Sequence, residues 1–163
     1  MLTKYPALVS TLNIMIQSQD DTLQTVAFET IGYIGVSLEG KLALVELGNV
    51  MTECIDKMGE VIRDSATEMK ISAMNALASL VKLDKENQTE QMLTITETWY
   101  TRIPNITNTL VNVIKQPFLD LRLEFLFTIQ KLIFHSRLAS YQLMYVLAGQ
   151  SWGRRLLMLQ PGK

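Results

Sequence analysis

The stretch Asp20–Val36, DDTLQTVAFETIGYIGV, constrains the fold more than any other, because the chain writes it three times. Leu23, Ala27, Ile31 and Ile34 recur at helical spacing with Phe28 beside them, while Gln24 and Glu29 are placed on the outward side. Forty-six residues on, Met69, Ala73, Leu77 and Leu80 take the same four positions, and 52 further on Leu121, Phe125, Ile129 and Leu132 do so again. A helix that recurs with its inward face preserved buries that face by stacking on its own copies. The pattern therefore predicts a helical repeat protein.

Three blocks align without gaps, Tyr5–Ile34, Met51–Leu80 and Ile103–Leu132, and ten columns are apolar in all three. Chance at this composition supplies about three such columns, somewhat more for helices that share a period. Ile16, Ile62 and Ile114 share one column, Leu12, Met58 and Leu110 another, and Leu8, Cys54 and Ile106 a third. The spacing lies in the HEAT and armadillo range. It predicts an all-α, right-handed α-solenoid (αα-superhelix) with about three units of roughly 46–52 residues, spanning 1–163 as a single segment.

About ten helices are expected. Lys4–Gln17 carries Pro6 in its first turn, and Asp21–Val36 opens on Asp21 and Gln24 in capping-box spacing. Leu38–Leu47 is a short helix, and Asn49–Arg63 carries a favourable Glu53–Lys57 pair. Ser65–Glu68 is a capping box for a helix to about Leu83, and Asp84 caps Lys85–Tyr100. Pro104 starts a helix to Lys115, and Pro117 starts one reaching at least Phe134. Ile133–Leu147 is apolar almost all round and either prolongs that helix or forms its own. The chain begins on the last helix of a unit and stops after a short middle one, which reads as a segment cut from a longer solenoid. Leu143, Met144, Val146, Leu147, Leu156, Leu157 and Leu159 are then expected to lack a covering unit and to drive self-association through this end.

Composition narrows the function classes. The chain is 48% apolar and 19% charged, enough for a continuous core. No apolar run has the length of a membrane-spanning helix, and MLTKYPALV lacks the basic-then-apolar form of a secretory leader. Cys54 is the single cysteine, so no internal disulfide forms, and with His135 alone it cannot bind zinc. These features point to the cytosol or nucleus. Net charge is −1, but residues 1–100 hold 14 acidic and 7 basic side chains, and residues 101–163 hold 2 and 8. This is either drift between solvated faces or a bipolar surface that orients a charged partner. The basic residues are spaced singly, which disfavours nucleic acid.

Five features invite a chemical reading. Gly35–Lys41, GVSLEGK, has the GxxxxGK form of a phosphate-binding loop. The preceding segment is helical, however, and Leu42 stands where a magnesium-binding hydroxyl is needed, so Lys41 is expected on a turn or helix surface. His135 has no nucleophile or carboxylate placed with it, and Cys54 reads as a small core residue. Asp56, Glu60, Asp64 and Glu68 read as a solvated face rather than a metal site. Trp99, Tyr100 and Trp152 either anchor an interface or fill the groove between helices.

The residues also carry a resemblance. LQTVAFETIGYIGVSLEGKLAL at Leu23–Leu44, EQMLTITETWY at Glu90–Tyr100, QPFLDLRLEFLFTI at Gln116–Ile129 and GQSWGRRLLMLQPG at Gly149–Gly162 resemble the proteasome non-ATPase regulatory subunit five family, in its C-terminal part. About Gln130–Ala148 looks like an insertion relative to that family. The resemblance implies a non-enzymatic assembly chaperone for the base of the proteasome regulatory particle, one that binds the C-terminal domain of an ATPase subunit. It implies no catalytic residue, cofactor or metal, and it carries over no contact residue. Another armadillo or HEAT adaptor, in transport or signalling, is the alternative, and a nucleotide-binding enzyme using Gly35–Lys41 a further one.

A binding face is expected on the final helix of each unit, which lines the concave side of such stacks. Those helices are Lys4–Gln17, Asn49–Arg63 and Pro104–Lys115. Stepping off their inward columns gives Ser10, Asp56 and Asn108 in one stripe position, and Gln17, Arg63 and Lys115 seven residues on. The six form a polar ladder, either a contact surface for a protein partner or an ordinary solvated face.

Overall fold

The structure, a computed structural model, describes residues 4–65, 67–115 and 124–159. Among these the chain forms nine α-helices and no strand: α1 (Pro6–Ile16), α2 (Asp21–Ile34), α3 (Leu38–Val45), α4 (Asn49–Asp64), α5 (Thr67–Val81), α6 (Glu90–Thr101), α7 (Ile106–Lys115), α8 (Glu124–Ala148) and α9 (Ser151–Met158). A 3-10 turn occupies Lys85–Asn87. The helices recur in threes, as the repeat predicts. In one row α5 packs between α2 and α8, and in a second row α4 packs between α1 and α7. The short α3 lies on α2, and α6 and α9 lie on each other. The result is an all-α, solenoid-like stack.

Local chemistry sets most boundaries, with corrections to the expected caps. Pro6 opens α1 without losing a helical hydrogen bond. Asp20, one residue earlier than the expected Asp21, caps α2: its Oδ1 accepts from the backbone N–H of Thr22 at 2.8 Å and of Leu23 at 3.3 Å. The stretch expected as one helix, Lys85–Tyr100, is divided. Asp84 opens only the 3-10 turn, and Thr89, in extended conformation, restarts the chain as α6 by accepting from Met92 N–H. Ala66, inside the capping box expected at Ser65–Glu68, lies outside the described residues.

The core is centred on α5. Ala73, Met74, Leu77 and Leu80 are fully enclosed by Phe28 and Ile31 of α2, by Ile55, Met58 and Ile62 of α4, and by Leu143 of α8. The column Leu12, Met58, Leu110 is buried throughout, and Cys54 and Ile106 are buried while their column partner Leu8 is exposed. Two positions on α2 reverse the expected pattern. Leu23 is 44% exposed, and Gln24 is buried. The reason is a hydrogen bond: Gln24 Nε2 donates to Ile16 O at 2.9 Å and Ser18 O at 3.4 Å, which satisfies carbonyls at the end of α1. The amide takes the inward site, and Leu23 falls on the side away from α5.

The end of α5 reverses another expectation. Lys41, expected on a turn or helix surface, is 1% exposed. Its Nζ donates to Ser79 O at 2.8 Å, Leu80 O at 2.9 Å and Gly35 O. From the opposite side Gln150 Nε2 donates to Val81 O, while Lys82 N–H closes on Ala78 O. All four terminal carbonyls of the central helix are thereby satisfied, two by an amine from the preceding unit and one by an amide from the following unit.

The third unit keeps the architecture in a different register. Ile133–Leu147 prolongs the preceding helix as part of α8. Leu121, Phe125 and Ile129 lie outside the described side chains, and Leu132 is only half-buried. Among the described residues α8 buries Ser136, Ala139, Ser140, Leu143 and Leu147, with Ser140 Oγ donating to Met74 Sδ at 3.3 Å. Its junction with α9 matches the junction of α2 with α3 at a separation of 113 residues. Gly40 lies against Ile34 O as Gly153 lies against Leu147 O, and Arg154 donates to Ala148 O as Lys41 does to Gly35 O. Residues 131–148, most of the segment expected as an insertion, thus belong to a helix that packs in the stack. Leu143 and Leu147, expected to be uncovered, are buried, and Met144, Val146, Leu156 and Leu157 are half-buried. The exposed apolar residues of this end are Phe134, Leu138, Tyr141, Tyr145, Met158 and Leu159.

Candidate partner-binding face

α1, α4 and α7 lie side by side because each sinks one residue of the column Leu12, Met58 and Leu110 into the core. Two residues before each anchor, helical rotation carries Ser10, Asp56 and Asn108 to the outside, and all three are exposed. Gln17, at the end of α1, Arg63 and Lys115 are exposed as well. All six expected residues therefore lie on the outer side of neighbouring helices.

Two side-chain bonds tie this row together. Gln17 Nε2 donates to Glu53 Oε2 at 2.9 Å, joining α1 to α4. An Arg102 guanidinium N–H donates to Asp56 Oδ2 at 2.7 Å, joining α4 to the turn before α7. That hydrogen bond, with the carboxylate charge, holds Arg102 above its ordinary value. Arg63 pairs with the neighbouring Asp64 at 3.0 Å. The expected Glu53–Lys57 pair is replaced: Lys57 pairs with Glu60 at 2.8 Å, and Glu53 turns to Gln17. Glu53 and Arg102 belong to the row, although the sequence pattern does not single them out. Arg102 had a signal, since it stands one repeat length after Asp56.

The row is a mixed-charge strip with donors and acceptors at the surface, suited to binding a polar protein surface. The side chains that invited chemical readings are placed differently. Gly35–Lys41 is a helix end, a capping serine and a new helix: Ser37 Oγ accepts from Gly40 N–H, and the Lys41 amine is engaged by three carbonyls. Burial pushes the Cys54 thiol up to about 12, which leaves it without thiolate character at neutral pH. His135 is half-buried with its ring at the edge of Phe134, 5.8 Å between centroids. Asp56, Glu60, Asp64 and Glu68 are all exposed. Trp99, Tyr100 and Trp152 fill the space between helices. The Tyr100 and Trp152 rings lie 5.6 Å apart, and Trp152 Nε1 donates to Gln150 Oε1 at 3.0 Å. Among the described residues, no helix is long and apolar enough to cross a membrane.

Comparison with known proteins gives one consistent result. The profile of the family described as proteasome non-ATPase 26S subunit matches residues 1–149. The chain is similar to 26S proteasome non-ATPase regulatory subunit 5 of Homo sapiens, 29% identical over 98% of this chain and 29% of the relative. The Bos taurus protein of that name is 31% identical over the same shares. The Mus musculus protein is 34% identical over 72% of this chain and 24% of its own length. The chain thus spans less than a third of the length of these relatives. No solved structure matches it.

Proposed function

The chain belongs to the proteasome non-ATPase 26S subunit family, and from that premise we propose that it is a non-catalytic binding module in assembly of the base of the proteasome regulatory particle. In this reading it holds the C-terminal domain of an ATPase subunit against the face made by α1, α4 and α7. The relatives are named as non-ATPase regulatory subunits, which supports a proteasome-related role without catalysis. The observation that carries the choice of face is the row Ser10, Gln17, Asp56, Arg63, Asn108 and Lys115. All six are exposed and polar, and they sit on three adjoining helices anchored by one buried column. A surface held this rigidly presents its hydrogen-bonding groups with little ordering entropy to lose on binding. The compartment that goes with this role is the cytosol or nucleus.

The test is capture of purified proteasomal ATPase C-terminal domains by the chain and by a variant with Asp56, Arg63, Asn108 and Lys115 all replaced by alanine. The wild type should capture at least one domain, and the variant should lose most of that capture while keeping its melting temperature. Capture unchanged in a well-folded variant would move the contact to another face. Failure of the wild type to capture any ATPase domain would favour a different solenoid adaptor.

A further inference from the structure

A polar recess of about 490 Å³ opens between the α1–α2 turn, the second half of α4 and the start of α5. It is continuous with the outer row, because Arg63 belongs to both. Gln24 lines it from within and is only 4% exposed. The two bonds from Gln24 Nε2 to Ile16 O and Ser18 O fix the orientation of the amide, so Oε1 is turned away from those carbonyls. Among the described residues, no donor meets that oxygen. An acceptor held in this way offers its lone pairs to a donor that enters the recess.

The charges around the recess leave one carboxylate over. Lys57 pairs with Glu60 at 2.8 Å and Arg63 with Asp64 at 3.0 Å, so its two cations are engaged by two of its carboxylates. Asp21, also in the lining, is exposed and has no cation beside it among the described residues. Buried Val61 and Met69 add an apolar wall. A fitting occupant donates to the inner amide oxygen, carries positive charge to Asp21, and lays an apolar surface on Val61 and Met69. A guanidinium meets all three demands: it is a planar fork of five N–H donors, always charged, weakly hydrated and carried on an apolar stem. A lysine ammonium is a strongly hydrated point charge and meets the last demand less well. We propose that the recess is a socket for an arginine side chain of the protein that docks on the α1, α4 and α7 face. The proposal rests on the reading of that face as a binding face and gives it an anchor, of a residue type enriched where interface energy concentrates.

The test begins with the side chain alone. N-acetyl-arginine amide is titrated into the chain and followed by two-dimensional amide NMR, beside N-acetyl-citrulline amide, N-acetyl-lysine amide and inorganic phosphate. The arginine probe should shift the signals of Ser18, Asp21 and Gln24 saturably, with a Kd of about 1–10 mM. Citrulline, which has the shape without the charge, should bind about tenfold more weakly, and lysine more weakly than arginine. Asp21→Asn should weaken the arginine probe about tenfold. Gln24→Met should do the same, and since it also removes the donor to Ile16 O and Ser18 O, it is read only if circular dichroism shows it folded; Asp21→Asn decides otherwise. Shifts that do not saturate, equal binding of arginine and citrulline, unchanged binding by folded Asp21→Asn, or phosphate binding here in place of arginine each overturn the socket. Capture of ATPase C-terminal domains then separates the two readings. Asp21 and Gln24 lie outside the four positions replaced by alanine in the test of the face. Capture lost in that four-alanine variant but unchanged by Asp21→Asn overturns the arginine anchor and leaves the face standing. Capture weakened about tenfold by Asp21→Asn supports both. If the wild type captures no ATPase domain, that reading of the partner fails, and the arginine titration alone decides the socket.

Discussion

A Cβ placed on Gly32 would lie 2.8 Å from the Cα of Ala76 and 3.0 Å from its Cβ, so α2 and α5 touch almost backbone to backbone. The contact joins the first helix of one unit to the first helix of the next, and the small pair sets their distance. Gly32→Ala gains about 1 kcal/mol in helix propensity but forces the two backbones apart at a cost of about 1–3 kcal/mol. The neighbour is main chain and cannot swing aside, so the variant should be less stable than wild type in urea unfolding. A stabilised variant would show that α2 can shift on α5.

Leu77 and Leu23 both belong to the expected inward face of the repeat but not to one environment. Leu77 is fully buried in α5, and Leu23 is exposed on α2. Leu77→Ala should cost about 2–5 kcal/mol from lost contacts and the cavity left behind, and Leu23→Ala less than about 1 kcal/mol. Equal losses would contradict the observed rotation of α2.

Lys41 gives the chain an unusual alkaline response. Desolvation lowers its pKa to about 8 from 10.5, with Asp84 opposing the shift and Lys82 adding to it. Between these values the unfolded chain binds the extra proton, so stability rises with pH from about 8 towards 10.5, by on the order of 3 kcal/mol at most. Cys54 and Tyr100, both pushed up to about 12 by burial, act oppositely. They keep protons that the unfolded chain releases above about 9 and 10. Urea midpoints of Cys54→Ala should therefore climb between pH 7.5 and 9.5, and adding Lys41→Met should abolish the climb. The same Lys41→Met change leaves the carbonyls of Ser79, Leu80 and Gly35 without this donor and should cost about 2 kcal/mol or more at pH 7.

Much of the architecture was legible because apolar period and repeat length depend on side-chain type alone. The rows α1, α4, α7 and α2, α5 follow from columns such as Leu12, Met58 and Leu110. Gln24, Lys41 and Gln150 were not legible. Each is a polar side chain buried to serve carbonyls of another helix, and in sequence nothing separates it from a surface residue. The burial of Ala139, Leu143 and Leu147 was not legible, because the gapless columns ended at Leu132 and the 113-residue register that relates the α8–α9 junction to the α2–α3 junction is longer than the spacing they followed. The polar row was legible as positions, since exposure two residues from a buried anchor follows from helix geometry. Its internal ties were not, because the bond from Gln17 to Glu53 depends on how α1 and α4 are aligned.

Arg102 offers the sharpest probe of that row. Its guanidinium and the Asp56 carboxylate are both nearly half exposed, and their 2.7 Å bond is an ion pair at the surface. Such pairs contribute about 0–1 kcal/mol to stability, so Arg102→Glu should move the unfolding midpoint little. It would nevertheless place two carboxylates side by side in the middle of the row and change the local charge by two. If an ATPase domain docks there, capture should fall about tenfold or more, and Asp56→Arg added to Arg102→Glu should restore part of it by rebuilding the pair in reverse. Restoration is the informative outcome, because general loss of fold would not be repaired by a second charge change. Capture insensitive to both substitutions, with both variants folded, would take Asp56 and Arg102 out of the binding face.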